Sequence, residues 1–296
     1  MSRTLLLFGA SGRTGQVIAR CAEAAGYSLL TPAHADCPLE DAERVSDSVL
    51  HSGADVVINA AAVSGLEACE ANPLQAHLVN AVAPAAMALA CRHTGARFLH
   101  LSTDYVLDGR RAGLKDESAR CKPANIYAES KREAEFAIAE AYAESLIARV
   151  SWVGGNPERP GFAEQVLAKA LRGEPLAAIV DKYSLPTDAE DIARALLALA
   201  DTGERGVLHL CSGGEPLSWW DCADITLREA ARLGLLPAAP SIARQTLREA
   251  RFFRAVRPQH TAMSNVRLLA LGISMPTAEE CLQRLTARYA AHILKA

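Results

Sequence analysis

The residues Thr4–Phe8 form an unbroken apolar run, and Gly9-Ala10-Ser11-Gly12-Arg13-Thr14-Gly15 follows at once. A helical pattern over Gln16–Ala25 comes next. Few folds accept this order. An apolar run without alternation is a strand buried on both faces, which calls for helices on both sides of a parallel sheet. The glycines let the backbone turn tightly and come close to a diphosphate. The helix start adds free N–H groups and the positive end of its dipole. Strand, glycine-rich turn and helix together are the setting of a dinucleotide site. The spacing is GxxGxxG rather than GxGxxG, and an ordinary βα turn is the plainer alternative.

The same alternation continues. Tyr27–Thr31 reads as a second strand, and it runs into Thr31-Pro32-Ala33-His34 with no acidic residue to hold ribose hydroxyls. Arg13, inside the glycine turn, is then either a partner for a 2′-phosphate or a solvated cation. This tilts the choice toward NADP(H), with NAD(H) kept open. Asp36 either sits near the adenine end or caps the following helix. Asp55–Asn59 is a third strand, and Ala60-Ala61-Ala62 after it leaves room at the carboxyl edge of the sheet. A long Ala-rich helix over Pro73–His93 carries Asn80, a local backbone binder or the holder of a bulge near the site. Arg97–Leu101 is a strand ending in Ser102-Thr103-Asp104-Tyr105, a cluster of hydroxyls suited to polarising a carbonyl or, more simply, to forming a turn. Leu146–Val150 closes the series. Repeated short strands and helices predict a doubly wound parallel sheet, Rossmann-like, over residues 1–150. Residues 151–296 predict mainly a smaller α/β substrate-binding lobe, with some segments returning to the main sheet.

Tyr127 and Lys131 lie four residues apart at the start of a stretch with no Gly or Pro through Tyr142. On a helix that spacing puts both side chains on one face. A free phenol, with a pKa of about 10, exchanges protons poorly at neutral pH. An ammonium beside it favours the phenolate and makes proton exchange easier. A solvated helix with a part-buried tyrosine is the competing reading.

A chain of 296 residues is long enough for a large core and two lobes. Its net charge of −3 gives no attraction to nucleic acid or to an anionic membrane. No apolar run approaches the roughly twenty residues of a membrane span, and the start reads as a buried strand rather than a signal peptide. The eight cysteines include no CxxC pair and read as buried thiols of a cytoplasmic protein. The histidines show no ligand spacing, so no metal is expected. His100 and His209 read as hydrogen-bonded residues of buried strands. Trp219-Trp220 read as packing rather than a stacking platform. Lys182-Tyr183 read as pocket lining or a surface loop, and Asp116-Glu117 as part of the substrate mouth.

These motifs together resemble the extended short-chain dehydrogenase/reductase superfamily, and within it the dTDP-4-dehydrorhamnose reductases. The resemblance runs nearly end to end. It rests on Gly9–Gly15, Asn59–Ala62, Val79-Asn80-Ala81, Leu101–Gly109, Tyr127–Lys131, Arg149–Val153, Pro186-Thr187, Leu208–Leu210 with Gly213-Gly214, and Arg257-Pro258. It implies reduction of the 4-keto group of a nucleotide-activated deoxysugar. Thr103 would bond the substrate carbonyl. Tyr127 would donate the proton, and Lys131 would lower the Tyr127 pKa and hold the nicotinamide ribose. Asn80 would support the active-site helix. Gly9, Ser11, Gly12, Arg13, Thr14, Gly15, Asp36, Asn59, Ala60, Ala61, Ala62, Asn80 and Ser102 would serve the cofactor together with Tyr127 and Lys131. Thr103, Asp104, Tyr105, Trp152 and Arg257 would meet the substrate. A homodimer is the expected assembly. The chain departs from the family at Ala128, where glycine is usual, at Gly154-Gly155-Asn156, where an aromatic is usual, and across Arg244–Arg257. Two alternatives stay open. One is an epimerase or dehydratase of the same superfamily with tightly held NAD, although only Asp104 follows Thr103 where dehydratases carry an acidic pair. The other is a dinucleotide-binding regulatory subunit like that of methionine adenosyltransferase.

Overall fold

The computed structural model describes residues 2–295. The first part of the chain runs β1 (Thr4–Phe8), α1 (Arg13–Ala24), β2 (Ser28–Leu30), α2 (Ala42–Leu50), β3 (Val56–Asn59), α3 (Leu66–Ala71), α4 (Pro73–His77), a π-helical turn (Leu78–Val82), α5 (Ala83–Thr94), β4 (Arg97–Thr103), α6 (Ile126–Ala141) and β5 (Leu146–Val150). Beyond it come β6 (Val153–Gly154), α7 (Phe162–Leu171), β7 (Ala177–Ile179), β8 (Tyr183–Ser184), β9 (Thr187–Asp188), α8 (Ala189–Ala200) and β10 (Gly206–Leu210). The chain ends with β11 (Leu217–Ser218), α9 (Trp219–Arg232), β12 (Ala243–Gln245), α10 (Val266–Ala270) and α11 (Ala278–Ile293).

Six strands make one parallel sheet in the order β10-β5-β4-β3-β1-β2. The mixed α/β, Rossmann-like fold expected from the strand pattern is therefore present. Alternate residues of each strand face opposite layers. Leu5, Leu7, Val56, Ile58, Leu99, Leu101, Leu146 and Ala148 pack with Val17 and Ile18 of α1 and with Ile192, Leu196 and Leu199 of α8. Leu6, Phe8, Val57, Phe98 and Ile147 face the other way, onto Val45, Val49, Met87, Ala134 and Ile138 of α2, α5 and α6. Apolar residues on both faces of these strands are thus required by having a helix layer on each side.

The chain winds in one direction from β1 to β2 and in the other from β3 to β10. The strand order reverses between β1 and β3. Loops leaving adjacent strands there diverge and open a crevice at their carboxyl ends. The glycine turn and Ala60–Ser64 border that crevice.

Segments after Ser151 split between the main sheet and a second layer. β10 adds beside β5, and α8 covers the α1 face. α7, α9 and α11 pack together with three two-stranded ladders, β6–β9, β7–β12 and β8–β11. Two capping boxes start helices here, Ser218 with Asp221 on α9 and Thr277 with Glu280 on α11. Each satisfies backbone N–H groups that a helix start otherwise leaves unpaired.

Two sequence expectations change. The helix over Pro73–His93 is interrupted by the π turn at Leu78–Val82. Pro84 has no N–H to give the Asn80 carbonyl four residues back, so the regular ladder cannot continue through that point. Taken as one piece, Pro73–Thr94 has the length and hydropathy of a membrane span, contrary to the sequence expectation of no such run. It packs against α2 and α6 and carries fully buried Asn80, as a core helix does.

Candidate active site

The crevice opens into a cleft of about 1040 Å³, lined from both parts of the chain. Gly9 begins its floor with φ of 81°. A Cβ added there would lie 2.6 Å from the Ala61 nitrogen, so only glycine lets the two loops touch. Gly15 is tighter still, because an added Cβ would sit 1.9 Å from the Gly9 carbonyl oxygen. Gly15 is a packing glycine that seats α1 on the turn and does not line the cleft. α1 starts at Gly12 without a side-chain cap and with no acid in its first turn, so its N–H groups and positive pole remain available to an anion. These features fit the diphosphate of a dinucleotide. Gly15→Ala is expected to abolish dinucleotide-induced thermal stabilisation and to lower stability by about 1–3 kcal/mol through overpacking; differential scanning fluorimetry with and without NADPH reads both.

Ser11, Gly12, Arg13, Thr14, Ala60, Ala61 and Ala62 line the cleft as the sequence predicts. Arg13 is less free than expected. Its Nε donates to the Arg159 carbonyl at 2.8 Å and an Nη donates to the Pro160 carbonyl at 3.1 Å. Asn156 fastens the same junction, with its Nδ2 donating to the Arg13 carbonyl at 3.0 Å and to Gln16 Oε1 at 2.6 Å. The family departure at Gly154-Gly155-Asn156 therefore joins the second layer to the glycine-turn helix. Asp36 is corrected on both readings. It is exposed and outside the cleft lining, and the cap of α2 is Asp41, which accepts from the Arg44 N–H. Thr31–His34 do line the cleft, with Glu40 nearby, held by Gln75 Nε2 at 2.9 Å. Glu40 carries no motif and went unread in the sequence.

Asn59, Asn80 and Ser102 stand behind the cleft wall rather than in it. Asn80 Oδ1 accepts from the Val63 N–H at 2.8 Å, and its Nδ2 donates to the Val63 carbonyl and to Ser130 Oγ, both at 3.0 Å. The π turn thereby clamps the loop after β3 to α6. Ser102 Oγ donates to Glu135 at 2.7 Å, so its hydroxyl faces away from any substrate. Glu135 also accepts two bonds from buried Arg149, at 2.8 and 2.7 Å, and one from Arg132. Asn59 Oδ1 accepts from the Ala61 N–H at 2.9 Å.

Asn125 caps α6 by accepting from the Ala128 N–H at 2.8 Å. This holds Tyr127 and Lys131 in the first turns, and both side chains reach the cleft. Burial pushes the Tyr127 phenol up to about 12, with the neighbouring Thr103 hydroxyl acting the other way. Burial also brings Lys131 down to about 7, against the pull of Glu135. The expected depression of the Tyr127 pKa by an adjacent ammonium is thus not present here. Lys131 Nζ instead bonds the Leu101 carbonyl at 2.6 Å and meets His100 Nε2 at 2.9 Å. His100, anticipated as structural, touches a site residue.

Thr103, Asp104 and Tyr105 line the cleft beside Tyr127. Burial raises the Asp104 pKa, while Lys182 and hydroxyl donors from Thr261, Ser151 and Thr103 oppose it. Lys182 is neither pocket lining nor a surface loop. It is buried, donates to Thr261 Oγ1 at 2.7 Å and lies over the Tyr105 ring. Asp116-Glu117 also leave the mouth, since Glu117 accepts from the His209 N–H and Asp116 from Ser118. Trp152 carries the sole positive φ outside glycine among the described residues, 40°, and lines the cleft. Trp219 stacks on it at 5.3 Å and lines the cleft too, whereas Trp220 packs under Arg244. The expectation of mere packing holds for one of the two tryptophans. Arg257 lies over Phe253, lines the cleft, and bonds Glu67 of α3 at 3.0 Å.

A tyrosine, a lysine and a threonine thus meet a glycine-turn helix start across one cleft. The family described as RmlD substrate binding domain matches residues 3–291. The chain belongs to this family. A probable low-salt glycan biosynthesis reductase of Haloferax volcanii is 30% identical, covering 95% of this chain and 96% of that protein. The dTDP-4-dehydrorhamnose reductase of Mycobacterium tuberculosis is 34% identical over 72% of this chain and 71% of its own length. Among solved structures, a dTDP-4-dehydrorhamnose reductase of Bacillus anthracis in complex with NADP superposes with a TM-score of 0.88 at 23% identity, covering 96% of this chain and 99% of that one. A Clostridium acetobutylicum relative described in the same words gives 0.87 at 25% identity, covering 99% and 100%.

Proposed function

We propose that this RmlD-family protein reduces the 4-keto group of a nucleotide-activated deoxysugar, using NADP(H) in preference to NAD(H), with Tyr127 as the proton donor. The observation that carries the reading is that Tyr127, Thr103 and Lys131 line the same cleft as a glycine turn and a free helix start. The bound nicotinamide supplies the hydride, and the protein supplies position and charge. Tyr127 keeps its proton throughout the neutral range, which suits an acid that gives a proton to a developing alkoxide. Thr103 offers a second hydroxyl in the same cleft. Trp152, Trp219 and Arg257 provide aromatic faces and a cation for the nucleotide half of the substrate. NADP(H) is favoured by the lack of an acid at the end of β2 and by the NADP-bound relative from Bacillus anthracis. Asp104 is occupied by Thr261 and Ser151, which leaves no free acidic pair for a dehydratase. The eight unpaired thiols suit a reducing cytoplasm.

The test is direct. Purified protein mixed with NADPH and a dTDP-4-keto-6-deoxysugar should lose nicotinamide absorbance and form the reduced sugar. Binding of both ligands without any NADPH oxidation would sink the proposal.

A further inference from the structure

Buried His100 joins two site elements, and its hydrogen bonds can be accounted for completely. Asn59 Oδ1 accepts from the Ala61 N–H at 2.9 Å, which fixes the amide orientation. The Asn59 Nδ2 group, a donor only, therefore faces His100 Nδ1 at 3.1 Å. His100 Nδ1 must accept, because two N–H groups cannot bond each other. Burial, with Lys131 second, holds the His100 pKa well below its ordinary value, so the ring is neutral and carries one N–H. That N–H must lie on Nε2, and Nε2 points at Lys131 Nζ at 2.9 Å. An ammonium has no lone pair with which to receive it. Only an uncharged amine does, and the same amine still donates to the Leu101 carbonyl at 2.6 Å.

We propose that His100, clamped by Asn59, is a positioning residue that holds Lys131 as an uncharged amine in the cofactor-free protein, and that Lys131 takes one proton from solvent when a nicotinamide dinucleotide binds. The step rests on the reading of the cleft as a dinucleotide site. Its balance is one proton gained by the amine nitrogen, with no other bond made or broken. Charged and titratable groups around the amine come from several elements. On α6 itself lie Glu135 and Tyr127, and Glu135 is already occupied by Arg149 of β5, Arg132 and Ser102. β4 presents His100 and Thr103, and Asp104, in the turn just after it, lies near Lys182. Cys69 of α3 acts on Tyr127, and Asn59 of β3 reaches the amine through His100. Glu135 favours the ammonium, and burial outweighs it to leave Lys131 near 7.

The sign follows. If the complex needs the ammonium to donate to ribose hydroxyls, affinity is greatest below pH 7 and falls about tenfold per pH unit above it. At pH 8 about nine-tenths of the amine is uncharged, so binding should take up about 0.9 proton per site. Titration calorimetry in two buffers of different ionisation enthalpy measures this uptake. NADH must show it as well as NADPH, because NADH has no 2′-phosphate to titrate. Asn59→Asp keeps an acceptor for Ala61 and adds one for His100 Nδ1–H. It should reverse the tautomer, turn Nε2 into an acceptor for the ammonium, move the affinity break up by about one pH unit, and lower the uptake at pH 8 from about 0.9 to about 0.5 proton. His100→Gln, offering Oε1 to the ammonium, should act in the same direction and serves if the first variant misfolds. In the cofactor-free wild type, imidazole ¹⁵N–¹H spectra should place the His100 proton on Nε2. A proton found on Nδ1, uptake near zero at pH 8 with both dinucleotides, or unchanged pH dependence in the folded variants would overturn the proposal. If no dinucleotide binds at all, the functional reading falls while the imidazole spectrum still decides the tautomer.

Discussion

Replacing Tyr127 with Phe is expected to lower kcat for the keto sugar by about 10²–10⁴-fold, the usual contribution of a positioned general acid. The ring stays, so its edge-on contact with Tyr105 at 6.3 Å survives and the cleft keeps its shape. Dinucleotide affinity should change little, since the glycine turn and Ala60–Ala62 are untouched. A phenol raised to about 12 by burial is a reluctant base but a secure proton carrier, so the loss should be seen in the reductive direction across the neutral range. Steady-state kinetics together with NADPH titration separates the effects. Full activity in the variant would move the proton to another group, with Thr103 the nearest hydroxyl in the same cleft.

The largest stability effect is expected at Glu135. Its carboxylate lies beside the carboxyl ends of the interior strands β4 and β5, accepts from Ser102, Arg132 and twice from Arg149, and is almost wholly buried with its arginine partner. Removing one member of such a pair leaves the other charge without compensation, and the typical cost is about 3–5 kcal/mol. Glu135→Ala should therefore lower the denaturation midpoint sharply. Glu135→Ala combined with Arg149→Leu should recover much of the loss, because no orphaned guanidinium remains. Chemical denaturation of the two variants measures the difference, and equal losses would show that packing rather than charge holds this spot. The pH dependence has a definite sign. Burial raises the carboxyl pKa, but the donors from Arg149, Ser102 and Arg132 pull it below the ordinary value, so this contribution is complete above the unfolded-state pKa and is lost as pH falls through the folded one.

The strands were legible because their apolar runs sit between helices, and a parallel sheet with two covered faces permits little else. Thr4–Phe8 and Leu146–Val150 appear with the bounds that the sequence predicts. The glycine turn was legible because contact between Gly15 and Gly9 leaves no space for a side chain. What stayed hidden was direction. Ser102 and Thr103 are adjacent hydroxyls, yet the pleat sends one to Glu135 and the other to the cleft. Asp36 and Asp41 both precede α2, and only the backbone geometry at Asp41 makes it the cap. His100 reads as one more residue of a buried strand until Asn59 and Lys131, far apart in the chain, close on its two nitrogens. Long-range pairings of single side chains leave no periodic trace in a sequence.

The strand order has a consequence for dissecting the molecule. β10 is made more than fifty residues after β5, yet it forms the sheet's flank beside it, and α8 lies over the α1 layer. A fragment stopped at Val150 would bare Leu146, Ala148 and the α1 side of the sheet, and would lose the Asn156 tether on Arg13 and Gln16. Such a piece would be sticky and loosely pinned at the turn meant to grip a diphosphate. On a ribosome, the cofactor half would then wait for the far end of the chain before it could close.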